Sequence, residues 1–151
     1  MESLNLPVFP FRLKEVGEKK LIFDAFRKKY VSLTPEEWVR QHFLAWLNLH
    51  KGYPAGLIAV EVSLKYNNMQ KRADAIVYGK EARPLMMVEC KAPGIKITQA
   101  AFDQIARYNF SFGVKYLAVT NGLEHFCCMK KPEGPGWAFL EEIPDYQQLL
   151  P

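Results

Sequence analysis

The sequence predicts a mixed α/β domain, and three observations carry that reading. Apolar residues recur at helical spacing after a capped start at "TPEEW". Three β-rich runs then follow one another across short polar loops. A second capped helix leads into a further hairpin. The 151 residues suffice for one self-sufficient core, burying roughly two-thirds of the unfolded surface. No repeat, low-complexity tract or Gly/Ser linker divides them, so a single domain spanning 1–151 is expected.

Near the start, "LIFD" (21–24) and "KYVSL" (29–33) are β-rich. Thr34 as N-cap, Pro35 at the first helical position and Glu36 and Glu37 in the first turn then open a helix expected to run to about Lys51–Gly52. Val39, Phe43, Trp46 and Leu47 form its buried stripe. "LIAVEVSL" (57–64), "RADAIVYG" (72–79) and "PLMMVECK" (84–91) read as a meander of three strands. Pro93 and Gly94 stop the third, and Thr98 caps a helix through about Phe110. In "KYLAVTNGLEHFCCM" β character resumes around Asn121–Gly122, a two-residue hairpin signal. Residues 133–151 form an acidic tail.

Composition restricts the function. No window holds the roughly 18 unbroken apolar residues of a membrane span, and no basic region precedes an apolar core at the start, so a soluble, cytoplasmic chain without a membrane partner is expected. Cys90, Cys127 and Cys128 show no metal-ligand spacing and read as reduced thiols, the adjacent pair alternating across a strand. His42, His50 and His125 form no ligand pattern, and no Ser sits in a nucleophile elbow. The formal charge is +4, but Glu133, Glu141, Glu142 and Asp145 meet no Lys or Arg in the tail. The 20 basic and 12 acidic side chains before it leave residues 1–132 at +8. A basic body with an acidic tail suits a polyanionic partner.

Period-two geometry places Glu89 and Lys91 on one face of the third strand, with Val88 and Cys90 on the other. Asp74 sits in an apolar stretch where a lone carboxylate is costly unless paired, hydrogen-bonded or metal-bound. If strands 72–79 and 84–91 are antiparallel neighbours, Asp74 lies opposite Glu89. Two such carboxylates suit Mg²⁺, which takes few protein ligands and keeps several waters. The bland alternative is a structural Glu–Lys pair on a sheet face. Gln104 and Tyr108, at i and i+4, share one face of the following helix. Lys71, Arg72, Lys96 and Arg107 are candidates for phosphate contact, with solvated surface charge as the equal alternative.

These motifs resemble the PD-(D/E)xK nuclease superfamily and, within it, the N-terminal nuclease domain of type I restriction enzyme R subunits. The resemblance rests on "IFDAFRKKYVSLTPEEWVRQ" (22–41), "RAD" (72–74), "VECKAP" (88–93), the Q-x-x-x-Y of Gln104 and Tyr108, and "YLAVTNG" (116–122). It implies a restriction-endonuclease-like central mixed β-sheet flanked by helices, hydrolysing DNA with Mg²⁺, for which Mn²⁺ can substitute. By the same resemblance Asp74 and Glu89 ligate the metal, with the Cys90 carbonyl as a further ligand. Lys91 orients the attacking water, and Gln104 and Tyr108 position DNA or the lysine. A first-helix glutamate joins the site. Glu37 is selected because Glu36 shares a face with Val39 and Phe43, although the choice between the two stays open. Implied partners are DNA, other restriction-system subunits or a second copy. Ala73 replaces the proline of the name motif, at a position that supplies no ligand. No GxxxxGK[ST] loop is present, so ATP-driven translocation is not expected of these residues. The alternative function is a catalytically silent nucleic-acid-binding or assembly module, whose mark would be loss of Asp74, Glu89 or Lys91. All three are present.

Overall fold

The computed structural model describes residues 1–151, the side chain of Tyr66 excepted. A small antiparallel sheet comes first, built from β1 (Leu13–Val16), β2 (Lys19–Asp24) and β3 (Lys29–Ser32). β1 was not expected from the sequence. Its burial is slight at every position, so no alternation of apolar and polar residues marks it. Helix α1 (Pro35–His50) follows, with the Thr34 hydroxyl accepting from the Glu37 amide at 3.0 Å as the sequence predicts.

The main sheet has six strands in sequence order: β4 (Ile58–Tyr66), β5 (Met69–Tyr78), β6 (Pro84–Cys90), β7 (Tyr116–Thr120), β8 (His125–Lys130) and β9 (Trp137–Phe139). β4, β5 and β6 form the expected antiparallel meander. β6 and β7 are parallel, since α2 (Gln99–Phe110) carries the chain back across the sheet between them. A parallel neighbour needs such a crossover, and it makes the sheet mixed.

Helices cover both faces. Val39, Phe43, Leu44 and Leu47 of α1 pack on Ala75, Val77, Met86, Val88 and Cys90, joined by Tyr146 and Leu149 from the short α3 (Tyr146–Leu149). Phe102, Ala106 and Phe110 of α2 pack on the other face against Ile76, Met87, Leu117 and Val119. Cys127 falls in the first core and Cys128 in the second, and both thiols are free, which is the strand alternation read from the sequence. The 133–151 tail was expected only as an acidic run. It supplies β9 and α3, with Asp145 and Gln148 closing a capping box.

The Asn121–Gly122 signal needs correction. The β7–β8 connection runs over four residues, 121–124, and not two. Asn121 Oδ1 accepts from the Leu123 and Glu124 amides, which stabilises the longer loop. Gly122 has φ +86°, and a Cβ there would stand 2.8 Å from Leu4, because the N-terminal segment crosses this loop and Asn5 donates its amide to the Gly122 carbonyl.

Candidate active site

The site is built where β4, β5 and β6 pass the N-terminal half of α1. Asp74 of β5 and Glu89 of β6 sit across one strand pairing, since the register joins Ala75 to Val88 immediately beside them. Strict alternation breaks at this point. Val60 and Ala75 belong to the α1 core, whereas their ladder neighbours Val62 and Ala73 belong to the α2 core. Glu61, between the two valines, has φ +54°, a left-handed conformation costly for a residue with a Cβ. The strand twist at Glu61 and Asp74 therefore lets these two carboxylates meet groups from α1 that a regular strand would not present to them.

Asp74 Oδ2 accepts from the Cys90 amide at 2.7 Å, and its Oδ1 lies 3.7 Å from the Arg40 guanidinium. Burial pushes its pKa up to about 6. The Cys90 hydrogen bond opposes this rise, the charge of Glu89 adds to it, Arg40 opposes it, and Glu36 adds a smaller increment. Asp74 is thus held in place without being neutralised. Glu89 is better matched: its Oε2 lies 3.3 Å from Lys91 Nζ and its Oε1 lies 3.7 Å from Lys71 Nζ. Lys91 follows the last β6 residue, and its amide donates to the Thr120 carbonyl at 2.8 Å, which pins the lysine to the end of β7. Asn121 donates from its side chain to the Ile95 carbonyl and ties down the Pro93–Gly94 turn beside it.

The remaining sequence-selected residues stand at different distances from this centre. Cys90 buries its thiol in the α1 core, where burial pushes the thiol pKa up, so only its backbone is available to the site. Tyr108 is reached indirectly. The Lys71 ammonium lies 4.8 Å from the centroid of its ring, and its hydroxyl is 3.5 Å from the Gln70 carbonyl. Gln104 is exposed, and its side chain makes no hydrogen bond to another described residue. Glu37 is buried and fully engaged, accepting from Arg27, Arg40 and Gln41 at 2.8, 3.0 and 2.8 Å. It touches Asp74 only through Arg40. Glu36 is the α1 carboxylate whose charge reaches Asp74.

Sequence reasoning missed the ion network around α1. Arg27 bonds Asp24, Glu37 and Glu61, and Arg40 links Glu37, Glu61 and Asp74. Arg72 joins Glu61 at 2.7 Å. Burial would raise the pKa of Asp24, but the Arg27 guanidinium and the Arg27 and Phe26 amides outweigh it and hold the group below its usual range. Burial would likewise raise Glu61, and Arg27, Arg72 and Arg40 reverse the shift. The only sequence signal was the Asp24-x-x-Arg27 turn; the other partners come from three separate elements, α1, β4 and β5.

Among the described residues no three His, Cys, Asp or Glu side chains converge as a metal cluster. The donor set is smaller: two carboxylates on adjacent strands, one of them under-compensated, with a lysine beside them. That set fits a hard cation with few protein ligands and several waters. Two carboxylates on neighbouring strands and a lysine just past the end of one of them, in a mixed sheet covered by helices on both faces, define the class as an α/β domain with a carboxylate-rich site. The chain belongs to the family described as type I restriction enzyme R protein N terminus (HSDR_N), which matches residues 35–144. Among solved structures, it is similar to a fragment assigned to the HsdR subunit of a type I restriction enzyme from Vibrio vulnificus YJ016, at 21% identity with a TM-score of 0.55. That likeness covers 78% of this chain and 24% of the other, so the chain spans about a quarter of the structure it matches. No curated protein matches the chain.

Proposed function

We propose that the chain is a divalent-metal-dependent endonuclease domain of the PD-(D/E)xK type, hydrolysing DNA phosphodiesters within a restriction system. The observation that carries the reading is the juxtaposition of Asp74, Glu89 and Lys91, with Asp74 partly buried beside a second carboxylate and only weakly compensated. Family membership supports the restriction setting, with DNA and other restriction subunits as partners.

Asp74 and Glu89 would hold Mg²⁺ or Mn²⁺, together with the Cys90 backbone. When bound, the cation acidifies water and offsets charge on the phosphate. Lys91, anchored by Thr120 and held at Glu89, places a fixed positive charge where the phosphate must come. Such a preorganised charge acts most strongly as negative charge builds on the phosphoryl oxygens. Lys71, resting on Tyr108, keeps Glu89 from bearing an unbalanced charge before the cation arrives. Of the two first-turn glutamates, Glu36 is the one left free of a guanidinium among the described residues and so available toward Asp74, while Glu37 orients Arg40. No covalent intermediate is required.

The test is a cleavage assay on supercoiled, linear and single-stranded DNA with Mg²⁺, Mn²⁺ or EDTA, beside calorimetric titration of Mn²⁺. Cutting that requires the metal and disappears in Asp74→Asn is the expected result. A folded protein that binds DNA but takes up no Mn²⁺ and cuts nothing would assign the silent binding module instead.

A further inference from the structure

The small N-terminal sheet lies outside the catalytic centre, and residues 1–34 lie outside the part of the chain matched to the family. Its two faces differ sharply. One buries Ile22 and Asp24. On the other, the register sets Lys14 opposite Leu21, Val16 opposite Lys19 and Phe23 opposite Tyr30, and the Phe23 amide continues the ladder to the Arg12 carbonyl. Residues directly opposite in an antiparallel pair share a face, so Arg12, Lys14 and Lys19 stand together.

Two of the three cations on this face, Arg12 and Lys14, rest on aromatic rings. The Arg12 guanidinium lies 4.1 Å from the Phe23 centroid and Lys14 Nζ lies 4.0 Å from that of Tyr30, while the two rings meet edge to face at 5.2 Å. None of Arg12, Lys14 and Lys19 forms an ion pair with a described residue, although all three are exposed. The acidic Glu15 falls on the other face, opposite Lys20. This is a surface of positive charge without ion-pair partners among the described residues, and two of its side chains, Arg12 and Lys14, have already lost part of their freedom to the rings beneath them. Because the cations cover the ring faces, the surface presents charge to a ligand and not a stacking platform. The β2–β3 turn at one end carries Arg27, which reaches Glu37 and Glu61, both bonded in turn to the Arg40 that faces Asp74.

We propose that the outer face of β1–β3 is a docking surface for the phosphate backbone of duplex DNA, contacted through Arg12, Lys14 and Lys19. The inference rests on the nuclease reading for its choice of polyanion. Its recognition is independent of sequence, because phosphate contacts position a duplex without reading its bases.

The experiment measures fluorescence anisotropy of a short labelled duplex with the full chain in EDTA, over a range of KCl concentrations. Circular dichroism checks that each variant is folded. Replacing Arg12, Lys14 and Lys19 together by Gln is expected to weaken binding at least ~10-fold and to flatten the plot of log affinity against log salt by about 2 to 3, one counterion per lost phosphate contact. A control that removes the same charge elsewhere, Lys115→Gln with Lys130→Gln and Lys131→Gln, should lose less than about two-fold if contacts and not net charge govern binding. Unchanged affinity and slope in the first variant, equal losses in both variants, or loss of binding to phosphatidylglycerol vesicles with duplex binding intact would each overturn the proposal. If the parent binds DNA through this face but never cuts, the nuclease reading alone fails. If it cuts while the sheet variant binds unaltered, this inference alone fails.

Discussion

Two groups of charges lie side by side on α1 and the β4–β6 edge, and they are treated in opposite ways. Around Arg27 and Arg40 each carboxylate is matched: the buried Asp24 and Glu37 and the half-buried Glu61 each meet at least one guanidinium, and Asp24 and Glu61 are pulled to lower pKa. At Asp74 the nearest guanidinium stands 3.7 Å away, another carboxylate is its neighbour, and the pKa rises to about 6. A buried charge left short of compensation is expensive for folding. That shortfall stands beside a network in which Arg27 and Arg40 tie α1 and the β2–β3 turn to the sheet, and it is the feature on which the proposed cation site rests.

The comparison breaks most visibly at Arg27. Arg27→Ala leaves the fully buried Asp24 carboxylate without its guanidinium and removes one partner each from Glu37 and Glu61, so a loss of about 3–5 kcal/mol is expected by equilibrium denaturation. A loss below about 1 kcal/mol would show that the network is not structural.

Lys91→Met tests the other side. Its side chain is about a third exposed, so the fold should persist, whereas cleavage at saturating metal and DNA should fall by about two orders of magnitude or more. A parent-like rate in this variant removes Lys91 from the chemistry.

Asp74→Asn sharpens the contrast in stability. The folded carboxyl keeps its proton up to about pH 6, while the unfolded one releases it near 3.8, the ordinary value for an aspartate. In the metal-free protein this group therefore subtracts stability as pH rises from about 4 to 6, and subtracts nothing at lower pH. The variant should be more stable than the parent at pH 8 by roughly 3 kcal/mol and equal to it near pH 3, as read from melting curves in EDTA. Cleavage should be lost at both. Greater parent stability at pH 8 would mean that Arg40 fully compensates Asp74.

The smallest effect belongs to Tyr108. Its hydroxyl contact is long and half exposed, so Tyr108→Phe should change stability by less than about 0.5 kcal/mol. Tyr108→Ala removes the ring under Lys71 and should lower metal affinity measurably through Glu89.

Much of the architecture was legible because it depends on short-range pattern. The Thr34 and Thr98 caps, the α1 stripe and the three strands of the meander follow from local spacing, and the structure places them within a few residues of expectation. β1 was not legible, since an exposed strand carries no buried face to betray it. The Asn-Gly loop was misjudged in length because side-chain bonds of Asn121 stabilise a wider turn than the dipeptide alone suggests.

For the site, the sequence by itself determined which residues share the β6 end: Glu89 and Lys91 on one face and Cys90 on the other follow from a period of two, and the ion pair and the buried thiol agree. It could also require a partner for Asp74, since an apolar stretch does not tolerate a free carboxylate. Which partner was decided by tertiary structure. The left-handed turn at Glu61, the approach of α1 across the sheet and the hooking of Arg27 onto Glu37 bring together groups up to fifty residues apart. Coulomb energies among them depend on distance and on exclusion of water, and neither quantity exists until the chain has closed on itself.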